Sequence, residues 1–240
     1  MNIAIVLSGG VGSRMGLDIP KQYLLVNDQP IINYCLKTFL DNNNTDVIVI
    51  GVAEEWKKYV IENLGKLNPN KMVYFSPPGL TRQYSIYNAL KVLKDRGVKN
   101  DDVVLIHDAA RPLVSHDLIN RCYDECRVAD GVMPVVPVKD TVYYSEDGNH
   151  IKSLLKRSCL WAGQSPEAFL FGKYFHIHEQ MKREELLKIN GSTEIAFMAG
   201  LECHMVEGDP LNFKITTRED LSNFKATKVS QVNKYQLACL

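Results

Sequence analysis

Apolar and polar positions along this chain alternate between the period of a strand and that of a helix. Residues 3–7 are a short apolar run closed by Gly9-Gly10, which predicts a strand. Residues 30–41 place Ile31, Ile32, Cys35, Leu36, Phe39 and Leu40 at helical spacing. A β-branched run at 46–52 predicts a second strand, 56–64 a helix and 71–75 a short strand. Residues 81–96 carry Ile86, Ala89, Leu90 and Leu93 on one helical face, and 102–106 (DVVLI) read as a buried strand. Ser115 is placed to cap a helix running to about residue 129. Strands alternating with helices predict an α/β fold with a mostly parallel central sheet covered on both faces. Ligands of such sheets bind beyond the carboxyl ends of the strands. The segments at 8–16, 76–85 and 107–112 are therefore expected to converge.

Residues 131–165 break the alternation. Pro134 and Pro137 suit an edge strand or strand ends, not a central strand. Residues 141–145 and 150–155 flank Glu146-Asp147-Gly148-Asn149, a hairpin signal. A lone hairpin is marginal in water, so this one is expected to pack on a second subunit or on the chain's own body. Residues 171–188, 193–199 and 218–225 read as helices. The chain has no internal repeat, low-complexity tract or linker, which favours one domain over 1–240.

Composition narrows the setting. The 240 residues are 45% hydrophobic and 23% charged, an ordinary globular balance. Lys and Arg (28) equal Asp and Glu (28), so a whole-chain basic footprint for nucleic acid is missing. No apolar run approaches the roughly 18 residues of a membrane helix, and the first residues lack a basic leader. The six cysteines form no CxxC pair, so reduced, buried thiols in a cytoplasmic protein are expected. The six histidines show no metal-ligand spacing; His107 reads as structural, and His176 and His178 as lying on a solvated helix.

Candidate chemistry begins after the first strand, at Ser8-Gly9-Gly10-Val11-Gly12-Ser13-Arg14-Met15-Gly16, followed by Pro20-Lys21-Gln22. Glycines at such a place let main-chain N–H groups approach and cradle phosphates. The spacing is neither that of a Walker A loop nor that of a dinucleotide fingerprint. A plain tight turn is the simpler reading of the glycines alone; Arg14 and Lys21 beside them favour a phosphate site.

GGVGSRMG followed by PKQYL resembles the loop of nucleotidyltransferases that activate sugars or sugar alcohols. It is most similar to the cytidylyltransferases of 2-C-methyl-D-erythritol 4-phosphate and of ribitol 5-phosphate. The resemblance continues through Gly79-Leu80-Thr81-Arg82-Gln83-Tyr84-Ser85, His107-Asp108-Ala109-Ala110-Arg111-Pro112, Pro137-Val138-Lys139-Asp140-Thr141, Leu160-Trp161-Ala162-Gly163-Gln164-Ser165-Pro166 and Lys214-Ile215-Thr216. Six segments in order span residues 3 to 221.

The resemblance implies a single Rossmann-like nucleotidyltransferase domain with a protruding β-hairpin arm at about 137–160. It implies an enzyme that joins CTP to a small sugar-alcohol phosphate and releases pyrophosphate, with Mg²⁺. Matching positions make Arg14, Lys21 and Lys214 the catalytic cations. Ser8, Gly9, Gly10, Gly12, Gly79, Arg82, Ser85, Asp108 and Ala109 fall at nucleotide-binding positions, and Arg111, Thr141, Arg157, Ser165 and Thr193 at acceptor positions. Arg111 could instead brace its loop. Asp108 would assist the metal, with Asp209 as a second candidate. In the family the arm is exchanged across a homodimer, so Thr141 and Arg157 would serve the partner's site. No nucleic acid or membrane partner is implied.

This chain departs from the usual pattern at Ser8-Gly9, Gly79-Leu80, Gln164-Ser165-Pro166-Glu167 and Thr193-Glu194, the last two on the acceptor side. Arg157 with Leu160-Trp161 resembles the methylerythritol enzyme; Glu55-Trp56 and Phe213-Lys214-Ile215-Thr216-Thr217 resemble the ribitol enzyme. Arg157 bears on the acceptor directly, so methylerythritol phosphate is the expected acceptor and ribitol 5-phosphate or another polyol phosphate the alternative. A glycosyltransferase of similar design would carry Asp-x-Asp where this chain has Asp108-Ala109-Ala110. A non-catalytic nucleotide-binding module would have had little reason to keep Arg14 and Lys21.

Overall fold

The computed structural model describes residues 1–10, Gly16 and 19–237, with 229–237 as backbone alone. Its strands are β1 (Asn2–Leu7), β2 (Leu25–Val26), β3 (Gln29–Pro30), β4 (Val47–Gly51), β5 (Met72–Ser76), β6 (Val103–Asp108), β7 (Gly131–Pro137), β8 (Tyr143–Tyr144), β9 (Ser153–Leu154), β10 (Trp161–Gly163), β11 (Glu167–Leu170) and β12 (Cys203–Glu207). Its helices are α1 (Ile31–Asp41), α2 (Glu54–Gly65), α3 (Arg82–Asp95), α4 (His116–Glu125), α5 (Phe171–Gln180), α6 (Arg183–Leu186), α7 (Ser192–Met198) and α8 (Arg218–Leu237).

The main sheet runs in the order β10-β7-β11-β6-β1-β4-β5, with β12 on the other side of β7. β1, β4, β5 and β6 are mutually parallel, as is the β7–β12 pair. β11 enters antiparallel between β6 and β7. Period-two alternation splits β1 between two cores. Ala4 and Val6 face Cys35, Leu36 and Phe39 of α1 with Leu118 and Cys122 of α4. Ile3 and Ile5 face Ile86, Leu90 and Leu93 of α3 with Phe171 and Tyr174 of α5. The sheet is thus covered on both faces, as the apolar runs require.

Several sequence expectations are corrected. β7 is not an edge strand: β12 pairs along one side and β11 then β10 along the other. Pro134 is tolerated because it lies where the partner changes from β11 to β10. There its carbonyl still accepts from Gln164 N–H (2.8 Å), so on that side the strand loses only the donor that proline lacks. The 171–188 helix is two helices, parted where Met181 and Lys182 are extended (ψ 134° and 148°). α4 stops at Glu125 and trails into tighter turns through Val128. α8 runs to Leu237, well past residue 225. β10 and β11 are too short to carry a period readable from sequence, and β12, although as long as β5, sets His204 and Glu207 among its apolar residues.

The expected hairpin is present as β8 and β9, paired through Tyr143 with Leu154 and Tyr144 with Ser153. Its faces are open: Tyr143, Ile151 and Leu154 are exposed, as is Trp161 on the returning strand. Cys35, Cys122 and Cys126 are buried thiols, whereas Cys159 is exposed and Cys203 partly so; Cys239 lies outside the described residues.

Candidate active site

The ends of β1, β5 and β6 converge on one cavity of about 460 Å³. It is lined by Gly9 and Gly10 after β1, by Gly79, Leu80, Thr81, Arg82 and Ser85 after β5, and by Asp108 and Ala110 after β6. Lys21 and Gln22 come from a short 3₁₀ turn, and Lys214 from the segment before α8. The two glycine segments touch. A Cβ on Gly9 would stand 2.5 Å from the Pro78 side chain, and one on Gly79 2.6 Å from the Tyr84 carbonyl carbon, so neither position has room for a side chain. Thr81 caps α3 by accepting from Tyr84 N–H, and Ser85 Oγ accepts from Gly79 N–H (2.9 Å). The loop is thereby folded onto the helix N-terminus, an arrangement suited to anions.

Asp108 is the hub of the charges. Its Oδ1 accepts from Arg82 Nε (3.3 Å) and its Oδ2 from Lys214 Nζ (2.7 Å). Burial alone would raise its pKa, but the two cations outweigh burial and hold the carboxyl well below the usual carboxylate range. Arg82 is shared further. Its NH1 donates to Ser192 Oγ, and its NH2 donates to Glu167 Oε1 at 3.1 Å. Burial opposes the Arg82 charge, and Asp108 and Glu167 more than restore it. Glu167 Oε2 accepts from Thr193 N–H (2.9 Å) and Thr193 Oγ1 (2.8 Å). All three partners of Glu167 are donors, so a carboxylate satisfies every one, which an amide could not. Sequence reading noted Glu167 as a departure and gave it no role; only the packing of β11 against α3 and α7 reveals one.

Ser8 is buried, and its N–H and hydroxyl both donate to the Gly51 carbonyl (2.8 Å each), so its side chain faces β4 and not the cavity. Ala109 is buried behind the wall; its neighbour Ala110 lines it. Ser165 Oγ accepts from Asp108 N–H (3.2 Å), bracing that loop from behind. Arg111 donates to the Asn212 carbonyl (2.7 Å), tying the β6 loop to the Lys214 segment. Thr193 is occupied by Glu167. Glu194 accepts from the N–H groups of Asn190 and Gly191 (3.0 Å each) and so caps α7. Asp209 Oδ1 accepts from Leu211 N–H within its own turn, while Gln164 clamps its backbone. Thr141 and Arg157 are exposed on the arm, where Arg157 donates to the Lys139 carbonyl (2.8 Å). Gly12 and Arg14 lie outside the described residues.

The histidines divide. His107 is buried at the end of β6, with Nε2 on the Arg111 carbonyl (3.0 Å). His178, expected on a solvated helix, is instead buried between the Tyr174 carbonyl (2.8 Å) and Gln83 Oε1 (3.1 Å); His176 is exposed. Burial lowers His107 and His178 to about 4, so both are neutral at pH 7.

Comparison with known proteins sets this geometry in context. Residues 2–228 match the family described as IspD: 2-C-methyl-D-erythritol 4-phosphate cytidylyltransferase. The 2-C-methyl-D-erythritol 4-phosphate cytidylyltransferase of Clostridium beijerinckii is 37% identical over 91% of this chain and 94% of its own length. A ribitol-5-phosphate cytidylyltransferase of Vibrio parahaemolyticus is 31% identical over 97% of this chain and 98% of its own. The crystal structure of the Francisella tularensis 2-C-methyl-D-erythritol 4-phosphate cytidylyltransferase superposes with a TM-score of 0.77 at 31% identity, covering 93% of this chain and 99% of that one.

Proposed function

The chain belongs to the 2-C-methyl-D-erythritol 4-phosphate cytidylyltransferase family and is a nucleotidyltransferase, and from that footing we propose that it transfers CMP from CTP to 2-C-methyl-D-erythritol 4-phosphate, releasing pyrophosphate. The observation that carries this reading is the cavity itself, where Gly9, Gly10, Lys21, Lys214 and Asp108 meet beyond the parallel strands.

The reaction needs two anions brought together. The acceptor phosphate, with a second pKa near 6, is mostly a dianion at neutral pH and attacks the α-phosphorus unaided by a base. His107, buried and neutral, is no part of this chemistry. Positioning and charge stabilisation carry the rate. Lys21 and Lys214, with Arg14, offset the charge that spreads over the phosphate oxygens as pyrophosphate leaves. Gly9, Gly10 and Gly12 supply loop amides, while Gly79, Ser85 and the Asp108–Ala109 turn hold the nucleoside. Arg82 fixes Asp108 and keeps the wall rigid.

A magnesium ion suits this donor set. Mg²⁺ is commonly held by one or two carboxylates together with substrate phosphates. Among the described residues each Asp108 oxygen accepts one hydrogen bond, which leaves a lone pair for a cation. Asp108 would hold the ion with the triphosphate oxygens, and the ion would add positive charge at the α-phosphate. Asp209, turned into its own loop, would require rearrangement to join it.

Thr141 and Arg157 stand on the arm, away from the cavity of their own chain, and the arm's apolar faces are open. Both facts support a homodimer in which each arm completes the partner's acceptor site. Among the described residues no helix is long and apolar enough to cross a membrane, in keeping with a proposed cytoplasmic enzyme.

Ribitol 5-phosphate is the second reading, favoured by the Vibrio relative. Of the ribitol-like positions, only Lys214 lines the cavity among the described residues. Trp56 stacks behind Tyr23, and Phe213 and Ile215 pack with Phe224 of α8. Pyrophosphate release with CTP and each acceptor separately decides between them. Lys21→Ala and Lys214→Ala should each lower kcat/KM by about a hundredfold or more while leaving the circular dichroism spectrum intact. Undiminished turnover in Lys21→Ala would remove the proposed chemistry.

A further inference from the structure

An anion cradle made of main-chain amides works only if the neighbouring carbonyls are kept out of it, because each carbonyl oxygen carries partial negative charge. In the described part of the glycine loop, two carbonyls are held by one side chain. Gln22 Nε2 donates to Ser8 O at 2.6 Å and to Gly10 O at 2.8 Å. Gln22 is 4% exposed and forms part of the cavity wall. Tyr23 adds a third restraint, its hydroxyl donating to Ser8 O at 3.0 Å and standing 3.2 Å from Ser8 Oγ. Ser8 in turn hangs by its N–H and hydroxyl on the Gly51 carbonyl. Behind this, the Tyr23 ring stacks on Trp56 (4.7 Å) and meets Tyr59 edge-on (5.8 Å). The turn to which the loop returns therefore grips the backbone from which it departs.

We infer that Gln22 and Tyr23 are positioning residues for the triphosphate: they tie the Ser8 and Gly10 carbonyls back, so that the loop meets the phosphates with its amides. The inference rests on the reading of the cavity as a CTP site. Its chemistry is specific to a donor. Glutamate at position 22 has the shape of glutamine and nothing to donate to a carbonyl, but its negative charge would by itself oppose each added phosphate, so the trend across the nucleotides is judged on the uncharged Tyr23→Phe variant. Phenylalanine at position 23 keeps the ring stack and loses only the hydroxyl.

The test is calorimetric titration of CMP, CDP and CTP into the full-length protein and its Gln22→Glu and Tyr23→Phe variants, with the melting temperature of each recorded. CTP affinity should fall about a hundredfold in Gln22→Glu and severalfold in Tyr23→Phe. The loss should grow from CMP to CDP to CTP. Tyr23→Phe should melt within a few degrees of the parent, which keeps the test decisive if Gln22→Glu folds poorly. Equal losses across the three nucleotides in Tyr23→Phe would mean a general structural role and overturn the inference, as would unchanged CTP affinity in both variants. A parent protein that does not bind CTP would be visible before any variant is compared; it would overturn the CTP reading and the inference together.

Discussion

His107 and His178 show how single buried groups set this protein's response to acid. Each has a folded pKa of about 4, against about 6.5 when unfolded. As pH falls below 6.5 the unfolded chain takes up protons that the folded chain refuses, so stability is lost as pH drops from 6.5 towards 4. Between pH 6.5 and 5 the loss is about 2 kcal/mol for each histidine. Asp108, whose pKa is depressed, keeps its charge through this window, and its contribution goes only in stronger acid. Thermal melts from pH 7 to 5 should show a steep fall in Tm, and His178→Gln should flatten it. A variant with the parent's slope would show that His178 does not titrate as argued. Both histidines are visible in the sequence, yet their burial is not: His178 sits two residues from the exposed His176 on the same helix, and only the seat against Gln83 distinguishes them.

At the scale of elements, legibility followed the clarity of the pattern: β12 is as long as β4 and β5 but was not read, whereas the two-residue strands of the hairpin were read from their turn. β1, β4, β5, β6, α1, α2 and α3 all carry enough period to be read, and the structure places them within a residue or two of expectation. β10, β11 and β12 owe their existence to the partners waiting for them on either side of β7. α7 is only Ser192–Met198, too short to stand by propensity, and is held at its start by two carboxylates. Glu194 caps it from within, and Glu167 reaches it from β11. Glu194→Ala should cost about 1 kcal/mol, a fall of roughly 2–4 °C in Tm for a chain of this size. Because Ser192 and Thr193 anchor Arg82 and Glu167, the same variant should also lower turnover modestly. A melting curve identical to the parent's would show that the cap contributes nothing.

For the whole molecule, the open apolar faces of the hairpin arm are the feature that one chain leaves unresolved in its own packing. Tyr143, Ile151, Leu154 and Trp161 expose more apolar surface than a two-stranded ribbon supports alone. Sedimentation equilibrium should give twice the 27.2 kDa chain mass, and Leu154→Glu should shift it towards the monomer. Activity should fall with dimer content if Thr141 and Arg157 act across the interface. A fully active monomer would show that each chain completes its own acceptor site.

The sequence by itself determined the α/β layering and the convergence of three strand ends, because strand and helix periods are local properties, and it placed Lys21 beside the glycine loop; Asp108 and Lys214 were singled out by the resemblance of their motifs to a family. It also gave the hairpin through its turn residues. Tertiary structure alone decided that Ser8 and Ser165 brace the site from behind, that Arg82 is shared between Asp108 and Glu167, and that Gln22 holds two loop carbonyls. Each of those depends on residues brought together from distant segments, and a hydrogen bond between them leaves no periodic trace in either segment. Pro134 makes the same point for the fold: it sits in a strand flanked on both sides, where β11 gives way to β10, and only the assembled sheet shows that place.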